Sequence, residues 1–212
     1  ELFGENLVES REMQLWYQDQ EAIPTVIGGD SKIERKLESL YEVQKLPTLK
    51  LMLQHRAILT AAPGLGKTVM AVTALASAQR NLVLIVAPLT LLDDWQETIQ
   101  TWWLDQEEFV DFPFMETWYA AENIMPINLE YPWIIITTSD VIEAIENQGT
   151  LEDIFGDHTK DRESVIIIDE SYRYKNRNAL RSNAVEQAAD LFYTKWLLSG
   201  MPVAKFVDDL YM

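Results

Sequence analysis

The chain has 212 residues, 48% hydrophobic and 10% aromatic, which excludes a disordered or low-complexity protein and suffices for one large domain or two small ones. It has no cysteine, so a disulfide framework, a zinc–thiolate centre and a cysteine nucleophile are excluded. The net charge of −17 repels nucleic-acid phosphates on average, unless the basic residues are gathered in one place.

The first residues, Glu1 to Glu5, are acidic where a signal peptide would be basic. No uncharged apolar run approaches the ~20 residues of a membrane-spanning helix. The expectation is an intracellular protein with no membrane partner, in cytoplasm, nucleoid or nucleus, or in the host cytoplasm if the source is viral. The chain opens on Glu1 and stops at Met212 inside an apolar stretch, as a fragment or processed chain does.

Ile27 to Ser31 reads as a turn or helix cap. Lys32 to Gln44 reads as a charged helix, with Ile33, Leu37, Leu40 and Tyr41 close to helical spacing. Ala57–Thr60 is a weak strand and Thr68–Gln79 a helix rich in Ala, Val and Met. Leu82–Val86 is a strand, and Leu91–Trp103 a helix capped by Thr90 or Asp93. Glu107–Pro126 is aromatic, acidic and without a clear element. Trp133–Thr137 and Val165–Ile168 are strands, Asn183–Phe192 is a helix and Lys195–Ser199 the last strand. These strands do not alternate polar with apolar, so both faces must be covered. The expected fold is α/β, a parallel sheet sandwiched by helices.

The charge is concentrated. Asn81 to Thr159 holds sixteen acids and no Lys or Arg, which is nearly the whole excess. Ser171 to Ser182 has the opposite bias, with Arg173, Lys175, Arg177 and Arg181 and no acid.

The strongest chemical signal is Ala61-Ala62-Pro63-Gly64-Leu65-Gly66-Lys67-Thr68, between a strand and a helix. It matches the phosphate-loop pattern except that Ala61 replaces the first glycine. Gly64 and Gly66 let the backbone curl so that N–H groups face phosphate oxygens, and the helix N-terminus adds partial positive charge. Pro63 and Leu65 complete the cradle. Lys67 reaches the β- and γ-phosphates, and the Thr68 hydroxyl ligates Mg²⁺. A glycine-rich turn that binds nothing is the alternative. About one hundred residues later the strand Val165–Ile168 ends in Asp169-Glu170. Asp169 is placed to hold Mg²⁺, directly or through water, and Glu170 to orient and deprotonate the attacking water.

Together these motifs resemble superfamily 2 helicases, most closely the Swi/Snf-like translocase ATPases. Gly64–Thr68 resembles that family's motif I, and Leu84–Trp95, a strand running into Pro, Leu-Leu and Trp, resembles motif Ia. Ile135–Ser139 is similar to motif Ib, Asp169–Asn176 to motif II, and Leu198–Val203 to motif III. Tyr172 and Met201 depart from the family's usual His and Thr. Leu15–Ile23 resembles the adenine-reading Q motif approximately, with Gln20 favoured over Gln18.

The resemblance implies a RecA-like ATP-binding lobe over 51–212, preceded by a helical segment over 1–50. ATP and Mg²⁺ are the implied ligands, with Lys67 and Glu170 catalytic and Ser199 and Gly200 coupling hydrolysis to movement. The implied partners are a nucleic acid, duplex DNA first, and a second RecA-like lobe or partner chain that carries arginine fingers. On this reading the chain alone binds ATP·Mg but hydrolyses it poorly. Motifs Ia and Ib contact the nucleic-acid backbone in the family. Here they offer hydroxyls, among them Thr90 and Thr138, and the basic run adds Arg177 and Arg181. The acidic 81–159 block keeps a second reading open, a nucleotide-dependent module that binds a basic protein.

Overall fold

The computed structural model describes residues 31–77, 80, 82–104, 114–122, 124, 127, 133–156, 159, 163–174, 176 and 179–200. Six strands form one parallel sheet: β1 (Arg56–Thr60), β2 (Leu82–Val86), β3 (Phe114–Trp118), β4 (Trp133–Thr137), β5 (Ser164–Ile168) and β6 (Thr194–Ser199). Their spatial order is β1-β6-β5-β2-β4-β3. Every residue of β2, β4 and β5 is buried, as their unbroken apolar runs require, while β1 and β3 lie at the edges and are partly exposed.

Helices cover both faces. On one lie α1 (Ser31–Glu38), α2 (Glu42–Leu53), α3 (Lys67–Ser77) and α4 (Leu92–Leu104). Met70, Leu75, Trp95 and Ile99 pack there on Val83, Ile85, Ile134, Ile167 and Trp196. On the other lie α5 (Ser139–Asn147), α6 (Leu151–Phe155) and α7 (Leu180–Leu191). Ile142, Phe155, Val185 and Ala188 meet Leu84, Ile135 and Ile166 there. Alternate residues of each central strand therefore serve two cores, which is why those strands are apolar throughout. The fold is the expected α/β sandwich, a RecA-like parallel sheet flanked by helices.

Three local expectations need correction. The helix expected over Lys32–Gln44 is two helices. Leu40 N donates to Leu37 O at 3.1 Å and the Ser39 hydroxyl to Lys36 O at 2.6 Å, which tightens and ends α1. Gln44 Oε1 then accepts from Tyr41 N at 3.0 Å, satisfying a backbone donor at the start of α2. The unassigned segment contains β3, paired in parallel with β4 from Phe114↔Trp133 to Trp118↔Thr137. Helix α4 grows out of a 3-10 turn over Leu89–Leu91 that follows Pro88, rather than from a cap at Asp93.

Candidate nucleotide site

A parallel sheet delivers every strand's C-terminal end to one edge, and the described residues of motifs I, Ia, Ib, II and III gather there. β1 runs into Ala61–Thr68, whose curl is carried by Gly64 at φ +83° and Gly66 at φ +79°. An added Cβ at Gly64 would meet nothing within 4 Å, whereas at Gly66 it would stand 2.5 Å from Gln44 Nε2. Gln44 lies beneath the loop, only 7% exposed, and donates from Nε2 to Leu65 O at 2.9 Å. Its other amide atom accepts from Tyr41 N, so the loop is fixed to the first turn of α2. Sequence reasoning missed Gln44. The one available signal is a glutamine at the third position of the helix that leads into β1.

The Lys67 ammonium donates to Ala61 O at 3.1 Å, folded over the loop it belongs to. A phosphate oxygen is a stronger acceptor for this ammonium than a carbonyl. β6 lies beside β1, and Ala61 N donates to Ser199 O at 3.2 Å. An added Cβ on Gly200 would lie 3.5 Å from Pro63 Cγ and 3.7 Å from Lys67 Nζ. Ser199 and Gly200 thus sit directly against the loop.

β5 is the next strand, so Asp169 and Glu170 stand two strand spacings from β1, about 10 Å between strand axes. That gap suits a polyphosphate with a cation between loop and carboxylate. Asp169 is 4% exposed and its backbone N–H donates to Val86 O at 2.9 Å. Its carboxylate accepts Glu170 N at 2.8 Å on Oδ1 and Trp95 Nε1 at 3.0 Å on Oδ2. Trp95, the tryptophan that closes the motif Ia resemblance, is thus also part of the site's frame. Glu170 is the one described non-glycine residue with positive φ, at 49°. A left-handed glutamate beside a buried aspartate is the kind of strain that clusters at functional sites. Among the described residues no three His, Cys, Asp or Glu gather as a metal cage. Mg²⁺ needs none, because it keeps waters and phosphate oxygens and takes one or two protein oxygens. The curled loop, the lysine and the buried carboxylate fit a nucleotide with Mg²⁺, and Thr68 and Asp169 are the residues whose oxygens could hold the cation.

The expected nucleic-acid residues fall differently. Thr90 is exposed in the turn over Leu89–Leu91. Thr138 is 8% exposed, and its hydroxyl accepts from Val141 N at 3.4 Å as the N-cap of α5. Arg181 Nε lies 2.7 Å from Asp140 Oδ1 and 3.7 Å from Glu143 Oε2, so it pairs from α7 with two acids of α5 in an exposed position. Gln20, Arg177 and Met201 lie outside the described residues. Tyr172 is half-buried in the turn after Glu170, and Tyr174 is buried. Burial pushes the Tyr174 phenol above its ordinary pKa, against the hydrogen bond with Ser139 and the charge of Arg173, so it stays neutral. A cavity of about 400 Å³ lies under α7, lined by Ile58, Tyr174, Val185 and Leu197, and no phosphate-loop residue borders it.

A phosphate loop after an edge strand, and an acidic pair two strands away in a parallel sheet, define a RecA-like P-loop lobe. Residues 11–212 match the SNF2-related domain, and the chain belongs to that family. It is 28% identical over 137 residues to the DNA repair protein RAD5 of Kluyveromyces lactis, which covers 60% of this chain and 11% of that protein. The SWI2/SNF2 ATPase core of Sulfolobus solfataricus in complex with double-stranded DNA superposes with a TM-score of 0.59 at 22% identity. That match covers 82% of this chain and 34% of the other. The Hef helicase domain of Pyrococcus furiosus gives 0.56 at 17% identity, covering 83% and 35%. The chain therefore spans about one third of those solved chains and one ninth of RAD5.

Proposed function

We propose that this chain binds ATP with Mg²⁺ and forms the first lobe of a duplex-DNA-dependent ATPase that couples hydrolysis to movement along, or remodelling of, nucleic acid. The observation that carries the reading is the pairing of a curled phosphate loop, two strands away, with a buried aspartate followed by a strained glutamate. The backbone of Pro63–Gly66 cradles phosphate, and Lys67 leaves Ala61 O to neutralise the β- and γ-oxygens. Thr68 and Asp169 would hold Mg²⁺, which would supply positive charge against the negative charge of the phosphates. Glu170 accepts a proton from the attacking water, a role worth about 10²–10⁴ in rate. Ser199 and Gly200 pass movement between this site and its neighbours, since Ser199 already accepts a bond from the loop. Arginines from a second lobe or partner chain complete the site, and such a residue is worth about 10³ or more in related enzymes.

Duplex DNA enters this reading through the SNF2 family and the DNA-bound archaeal core. An acidic surface favours a second reading. Asp93 and Asp94 open α4 exposed to solvent in a stretch without Lys or Arg, which suits a basic protein partner. Steady-state ATP hydrolysis with and without duplex DNA, beside Lys67→Ala, separates the two. Turnover that requires Lys67 and rises with DNA is expected. Nucleotide binding with no response to DNA, in a chain complemented by a second lobe, would favour the protein-binding module.

A further inference from the structure

We infer that Trp95 is a positioning residue for the cation site, fixing the Asp169 carboxylate in the orientation that accepts Mg²⁺. The inference rests on the reading of Asp169 as a metal ligand. The two residues are 74 apart in the chain, yet Trp95 Nε1 donates to Asp169 Oδ2 at 3.0 Å with both side chains buried, at 1% and 4% exposure. Oδ1 is held separately by Glu170 N at 2.8 Å. A carboxylate offers about four lone-pair sites, so one bond on each oxygen fixes its plane and leaves a lone pair free on each.

The donor's chemistry suits that task. An indole N–H donates only and cannot rotate away as a hydroxyl can, because the ring fixes its direction. It carries no charge, so it does not compete with a cation as Lys or Arg would. The ring is locked in turn. Trp95 lies one turn into α4 and packs in the core with Leu92, Ile99, Met70 and Ile167. The backbone of Asp169 is fixed as well: Asp169 N donates to Val86 O, at the end of the strand from which the chain turns into α4. Outer-shell donors of this kind orient ligating carboxylates.

The test is Trp95→Phe in the whole chain, which keeps a large aromatic ring and removes the donor. Binding of a fluorescent ATP analogue is followed by anisotropy while Mg²⁺ is titrated, and repeated in excess EDTA. We expect the Mg²⁺ midpoint to rise about tenfold or more, with the EDTA affinity unchanged. An unchanged midpoint in a folded variant overturns the inference. Equal weakening with Mg²⁺ and in EDTA also overturns it, because the role is then general packing. If wild-type chain binds no nucleotide, the ATP reading fails first and takes this one with it; nucleotide binding that ignores Mg²⁺ removes the cation site alone. Should Trp95→Phe fail to fold, the wild-type indole ¹⁵N–¹H spectrum decides, with the Trp95 resonance assigned from the backbone. Added Mg²⁺ in the presence of nucleotide should move that resonance, and a fixed resonance overturns the proposal.

Discussion

Glu170 combines a backbone cost with the chemical task proposed for it. Its φ of 49° lies in the left-handed region, which costs a residue with a Cβ about 1–2 kcal/mol relative to glycine. Three substitutions separate the two. Glu170→Gln keeps size and backbone but cannot take a proton, so nucleotide affinity should persist while turnover falls at least ~100-fold. Glu170→Gly and Glu170→Ala both remove the carboxylate, but only glycine is at ease at this φ. In urea unfolding the Gly variant should exceed the Ala variant by about 1 kcal/mol. Equal stabilities would show that this turn does not hold the strain. On the proposed reading, the side chain assigned the chemistry is the one the backbone tolerates least, and stability is given up locally for geometry.

At the scale of elements, α2 and the phosphate loop act as one unit through Gln44. The two loop glycines separate backbone strain from packing. Gly64→Ala meets open space and suffers only its φ of +83°. Gly66→Ala suffers a similar φ and also drives Gln44 Nε2 from a position 2.5 Å away, breaking its bond to Leu65 O. Gly66→Ala should therefore be the more destabilising, by about 1 kcal/mol for the lost bond, and should weaken ATP binding more. Adding Gln44→Ala should close most of that gap in a double-mutant cycle read by thermal unfolding and nucleotide affinity. A gap that persists would place the damage in the loop backbone alone.

The same elements show what was legible in the sequence. Strands β2 and β4 could be read to the residue because burial on both faces leaves an unbroken apolar run. β3 could not, because an edge strand with Glu116 at its centre lacks that run. Helix α2 is hidden by Pro47 in its interior, whose residue type argues against a helix. The loop and the acidic pair were legible as local motifs. That β6 stands between them was not, since strand order is a non-local property. Gln44 and Trp95 escaped for the same reason: their roles exist only through partners 21 and 74 residues away.

For the whole molecule, the proposed DNA dependence raises the question of how a chain of net charge −17 would meet a polyanion. The strand ends that carry Thr90 and Thr138 lie in the stretch without Lys or Arg. The nearest described cation on the neighbouring helix, Arg181, already pairs with Asp140 and Glu143. Backbone N–H groups and hydroxyls bind phosphate without carrying charge, so they release few counterions. DNA binding through this lobe should therefore weaken gently with salt, with a log–log slope of about −1 to −2 rather than the −5 or steeper of a cationic groove. Freeing Arg181 from its exposed ion pairs costs under about 1 kcal/mol, so it remains available to a phosphate. Arg177→Glu with Arg181→Glu should then lower DNA affinity at low salt and flatten the slope further. Fluorescence anisotropy with a short duplex across a salt series measures both. A slope that stays steep after the double substitution would place the cationic contacts on another lobe, and would leave the acidic face of this one to repel DNA on one side or to receive a basic protein.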